Sequence, residues 1–110
     1  MNASTFQEAA DRLWSAWQAR QIIDELPAAI RPASRAQGYA IQSLLERRSA
    51  KPLFGWKIAA TAEAGQKHIG VDGPMAGRLL AERVRADGAA ISLDGNRMRV
   101  AECEFAFRMA

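Results

Sequence analysis

At Lys51-Pro52 the hydrophobic pattern of this chain changes period, and that change limits what it can fold into. Before it, apolar residues recur at helical spacing. Phe6, Ala10, Leu13 and Trp17 line one side of a helix expected over about 4–23, with Thr5 and Glu8 placed as a capping box. Trp14 and Trp17 are expected to anchor its core side. Leu26-Pro27 and Arg31-Pro32 punctuate a loop. Ser34 with Gln37 then opens a second helix to about Ser49, its apolar side supplied by Tyr39, Ile41, Leu44 and Leu45. Gly38 inside that helix costs up to about 1 kcal/mol relative to alanine, and close packing is the expected reason for it. A proline removes an amide donor and clashes with the preceding turn, so the helix cannot continue through Pro52.

After the switch the period is two. Leu53 to Ala59 reads as a strand carrying Lys57. Thr61 is placed to cap a short helix that ends at the glycine-rich loop Gly70-Val71-Asp72-Gly73-Pro74. Leu79 to Val84 fits helix and strand equally. Ala89 to Leu93 and Arg97 to Phe107 read as strands joined by the turn sequence Asp94-Gly95-Asn96. The expected fold is α+β: one domain over 1–110, helical over 1–50 and strand-rich over 51–110. No internal repeat is visible.

Composition narrows the function classes. The chain is 110 residues, 49% hydrophobic and 25% charged, which excludes disorder throughout. Its net charge of +3 comes from scattered arginines, with only Arg47-Arg48 adjacent, so no nucleic-acid footprint is expected. No apolar run approaches the roughly 20 residues of a membrane span. Cys103 is the single cysteine, so no intrachain disulfide can form, and a reducing cytoplasm is the expected compartment.

The chemistry-bearing residues lie in the second half. In a strand, Glu102 and Glu104 leave one face while Cys103, Phe105 and Phe107 leave the other. Two carboxylates side by side are costly without a cation, and hard divalent ions take such oxygen ligands. The alternative is a solvent-facing edge whose acids pair with Arg97 or Arg99. Cys103 is expected as a small buried hydrophobe. Lys57 has two readings: an ammonium that desolvation shifts toward proton transfer or that holds an anion, or a lysine whose head reaches water. The glycine-rich loop matches no dinucleotide or Walker signature and reads as a tight turn. His68, the single histidine, reads as a helix-surface residue.

Taken in order, four groups of residues resemble a known family. They are Tyr39-Ala40-Ile41-Gln42; Gly55-Trp56-Lys57-Ile58 with Thr61; Gly70-Val71-Asp72 with Pro74 and Gly77; and Glu102-Cys103-Glu104-Phe105-Ala106-Phe107. The succession is similar to the 2-keto-4-pentenoate (2-oxopent-4-enoate) hydratases of the fumarylacetoacetate hydrolase superfamily. The resemblance implies strands of that family's β-roll and a Mg2+ or Mn2+ cofactor. It implies a homo-oligomer acting on a small 2-oxo or 2-hydroxydienoate substrate in aromatic catabolism. The reaction implied is addition of water to 2-hydroxypenta-2,4-dienoate, giving 4-hydroxy-2-oxopentanoate. By the same match Glu102 and Glu104 are metal ligands, Lys57 is catalytic and Asp72 binds substrate. A third acidic ligand is expected beyond Ala110, making these residues the N-terminal portion of an enzyme. One departure stands out: Met75 follows Pro74 where many hydratases carry an aspartate. Sister activities therefore stay open, namely 2-oxo-acid decarboxylation and acylpyruvate-type hydrolysis, as does a non-catalytic domain that associates through its apolar last strand.

Overall fold

The computed structural model describes residues 2–110. Helix α1 spans Ala3–Gln18 and α2 spans Arg35–Glu46. They are followed by strand β1 (Gly55–Ala59), helix α3 (Glu63–Ile69) and strand β2 (Met75–Leu79). Single 3-10 turns occupy Ala28–Ile30 and Ala81–Arg83. The class is α+β, as the change of period implies, and the break at Pro52 falls between α2 and β1.

Both long helices are capped by side chains, but not quite as expected. Asn2 caps α1: its Oδ1 accepts from the Thr5 amide at 3.0 Å, and Thr5 Oγ1 accepts from the Asn2 amide at 2.9 Å. Thr5 is therefore the third residue of the box rather than its cap, and Glu8 takes no part. The helix also stops earlier than the apolar pattern suggests, with Arg20 at φ 53 turning the chain away. Ser34 caps α2 as expected, accepting from the Gln37 amide at 3.3 Å, while Gln37 Oε1 accepts from the Ala33 amide at 2.8 Å. Thr61 does not cap α3. Ala62 holds that position without a side-chain bond, and Gly70 closes the helix at φ 71, a left-handed conformation glycine takes without steric cost.

The core lies between the two long helices and the first 3-10 turn. Ala9 and Ala10 of α1 meet Ile30 and Ile41, and Phe6, Leu13, Leu26, Leu44 and Leu45 pack around them. Two alanines in a row let α2 approach closely, and an Arg48–Asp11 ion pair ties the end of α2 to α1. Trp14 and Trp17 are not core anchors. They meet edge to face at 6.0 Å, and Trp17 is exposed beneath the Arg83 guanidinium at 4.3 Å. Gly38 has no heavy atom within 4 Å of where its Cβ would stand, so close packing does not explain it.

β1 and β2 form an antiparallel pair in the register Gly55↔Leu79, Trp56↔Arg78, Lys57↔Gly77, Ile58↔Ala76, Ala59↔Met75. β2 follows directly on the Gly70–Pro74 loop, where Pro74 before it and Gly77 within it argue against a strand. Pairing with β1 overrides that weak propensity. Among the described residues this is the one sheet. The strands expected at Ala89–Leu93 and Arg97–Phe107 do not form. The turn between them is real, with the Asn96 amide donating to Leu93 O at 3.0 Å. But Asn96 Oδ1 then accepts from the Met98 and Arg99 amides at 3.1 Å, and Arg99 sits at φ 49. Those bonds fold the chain back on itself and deny the two arms a ladder. No helix among the described residues is long and apolar enough to cross a membrane.

Candidate functional site

Strand alternation in β1 puts Gly55, Lys57 and Ala59 on the half-buried side, and Trp56 and Ile58 on the exposed side. Opposite Lys57 the register places Gly77, which offers no side chain to compete for the space. The Lys57 ammonium is met there by the last segment of the chain. Its Nζ lies 3.2 Å from Glu102 Oε2 and forms a second, closer ion pair with Glu104. The segment is not the ladder-paired strand its sequence suggests, yet its two acids still converge on one point. Cys103 between them is exposed rather than buried.

The electrostatics argue against a Lys57 ammonium lowered toward proton transfer. Its pKa is raised, first by the hydrogen bond to Glu104 and then by that to Glu102, with partial desolvation opposing. The Glu104 carboxyl is correspondingly held below the usual carboxylate range by Lys57. The lysine is therefore an anion holder carrying its proton, not an ammonium lowered toward neutrality. All three side chains are substantially open to water, so solvent screens the pairs and their effect on stability is modest.

Two carboxylates meeting at one point are oxygen donors of the type a hard divalent ion takes, but here the Lys57 ammonium occupies the point at which they meet. No group of three or more His, Cys, Asp and Glu side chains gathers for a metal among the described residues. Asp72 is not drawn to this point. It is almost fully exposed in the loop after Gly70 and pairs with Arg35, the first residue of α2. His68 lies exposed in the last turn of α3, as its sequence context suggests.

The chain is similar to the TodF product hydratase of Pseudomonas putida, with 32% identity over 104 residues that cover 92% of this chain and 39% of that protein. It thus spans about two-fifths of the length of the curated relative it matches. No family model matches the chain. No solved structure matches it. The similarity supports kinship with a hydratase.

The structure adds a polar cluster that joins Tyr39 and Gln42, quoted above for the resemblance, to Glu46 and Arg78, which no sequence signal singled out. Tyr39 Oη accepts from the Ala76 amide at 3.0 Å, and Gln42 Nε2 donates to Ala76 O at 3.3 Å. Arg78 donates to Gln42 Oε1 at 2.8 Å, pairs with Glu46, and lies 4.6 Å from the Trp56 ring centre. Arg78 is the best buried cation in these pairs, with 17% of its side chain exposed. Tyr39, Gln42 and Glu46 thus fasten β2 to α2 and hold the ribbon that carries Lys57. Their spacing of three and then four is one helix face. Tyr39 carries an apolar ring and a polar hydroxyl, so its place on the apolar side of α2 and in this polar stripe are compatible.

Proposed function

We propose that these residues are part of a divalent-metal-dependent hydro-lyase that adds water to 2-hydroxypenta-2,4-dienoate and yields 4-hydroxy-2-oxopentanoate. The observation that carries the reading is the meeting of Lys57, Glu102 and Glu104 at one point, in a chain similar to a hydratase. Glu102 and Glu104 would hold Mg2+ or Mn2+, the remaining positions going to other oxygen donors. A bound ion would supply Lewis-acid polarisation of the substrate's carboxylate and 2-oxo oxygens.

The chain's own residues account for the rest. Lys57 Nζ keeps its proton through neutral pH and can donate to an oxyanion where the dienol charge develops. Ketonisation makes the remaining double bond accept water at C4, and Lys57 serves it by holding the oxyanion rather than by giving up its proton. The role of Asp72 in substrate placement rests on the family resemblance alone, since here it is exposed and paired with Arg35 away from Lys57. Met75 begins β2 opposite Ala59, so the carboxylate common at that position is absent. That observation favours, as a second reading, a sister 2-oxo-acid decarboxylase or acylpyruvate-type hydrolase.

Two measurements test the reading. Mg2+ titration followed by NMR should shift the Glu102 and Glu104 carboxyl carbons, and the shift should vanish in Glu102→Gln/Glu104→Gln. The polypeptide encoding these residues, supplied with Mg2+, should consume the dienoate without releasing CO2. Stoichiometric CO2 would reassign the activity to the decarboxylase, and unchanged carboxyl resonances would remove the metal site.

A further inference from the structure

β1 has one backbone partner, β2, and a two-stranded ribbon is marginal in water unless another layer holds it. Here that layer is α2, and its polar ties to the ribbon differ in reach. Those of Tyr39 and Gln42 both end on the backbone of Ala76, in β2. Bonds that converge on one residue leave the ribbon free to pivot about it. Arg78 reaches further. Its guanidinium donates to Gln42 Oε1 at 2.8 Å and pairs with Glu46, both on α2, and it lies 4.6 Å from the ring centre of Trp56, on β1. Among the described residues, no other hydrogen bond, ion pair or cation–π contact involves both the helix and β1 in this way.

Trp56 is the cross-strand partner of Arg78 and the neighbour of Lys57. Side chains alternate along a strand, so holding the Trp56 ring on one face directs Lys57 to the other, toward Glu102 and Glu104. We propose that Arg78 is the positioning residue of this site: its fork on α2 and its stack on Trp56 fix the roll of β1, and with it the place of Lys57 Nζ. Only a planar guanidinium bonds in its plane and stacks on its face at once; a lysine ammonium does neither in that geometry. Arg78 forms no ion pair with Glu102 or Glu104, whose ion-pair partner is Lys57, so it acts through placement. The proposal deepens the site described above. It rests on Lys57 as a site residue and not on the reaction assigned to it.

NMR of the 110-residue chain provides the test. In the parent, amide residual dipolar couplings of α2, β1 and β2 should fit one common alignment. The Lys57 ε-protons should show an Overhauser contact with the Glu104 side chain. Arg78→Lys keeps the charge but loses the fork and the stack. It should rotate the ribbon relative to α2 and weaken the Lys57–Glu104 contact roughly three-fold or more, as a displacement of about 1 Å would. Glu46→Gln loosens the same fork without touching the ribbon and should move both readouts the same way by less. Tyr39→Phe is the comparison, because it cuts a tie that ends at Ala76. Its thermal midpoint should fall, yet the common alignment and the Lys57–Glu104 contact should persist. Parent-like couplings and contact in Arg78→Lys or Glu46→Gln overturn the proposal, and so does an equal loss in Tyr39→Phe. A missing Lys57–Glu104 contact in the parent itself overturns the site and the proposal together, before any variant is compared.

Discussion

At the scale of single residues, Lys57 with Glu102 and Glu104 sets the pH behaviour of the site. Glu104 titrates below its ordinary value because Lys57 faces it, so the pair's contribution to stability exists above the unfolded carboxyl pKa. It is lost as pH falls through the lower folded value. Lys57 titrates above 10.5 because Glu104, and then Glu102, hold its proton. That contribution is complete below 10.5 and lost as pH rises through the raised folded value. The ion pair therefore operates across the whole neutral range. In Lys57→Met, the carboxyl titration of Glu104 followed by NMR should move up to the ordinary range; an unmoved midpoint would mean that the pair does not form in solution. Gly38 gives a second residue-scale expectation. Its Cβ position is open, so Gly38→Ala should stabilise the chain by about 0.5–1 kcal/mol, read from the shift in thermal midpoint.

At the scale of elements, the decisive contact is between α2 and β2. Tyr39 and Gln42 close the backbone groups of Ala76, and Arg78 bridges Gln42, Glu46 and Trp56. Tyr39→Phe leaves the Ala76 amide without its side-chain acceptor, at a cost of about 0.5–1.5 kcal/mol. Hydrogen exchange at the Ala76 amide should accelerate while the α1 amides stay as they were. Equal acceleration in both would show that the strand pair and the helix pair open together. The helices were largely legible in the sequence, because an apolar stripe with a Ser cap is a local signal. β1 was legible for the same reason. β2 was not, since Gly73 and Pro74 just before it and Gly77 within it speak for a turn, and only the facing strand outweighs them.

At the scale of the molecule, order is uneven. The core gathers α1, α2 and the turn at Ala28–Ile30, whereas residues 85–110 are exposed throughout and lack regular structure. Few buried contacts mean low local stability. Trypsin at low protein concentration should therefore cut first in the region of Arg97, Arg99 and Arg108, leaving 3–46 protected, as mass spectrometry of the early fragments would show. Early cleavage within α1 or α2 would contradict this ordering.

By itself the sequence determined the class, α+β, and the place where helix gives way to strand, because period and proline act through neighbouring residues alone. It also determined which acids stand two apart and so leave on one side. What only the tertiary structure decided is what those acids meet. The register that sets Lys57 against Gly77 brings a lysine 45 and 47 positions earlier in the chain to Glu102 and Glu104, and that meeting raises the lysine's pKa. The same long-range geometry left the expected second hairpin unpaired. A strand needs a partner backbone, and alternation alone does not supply one.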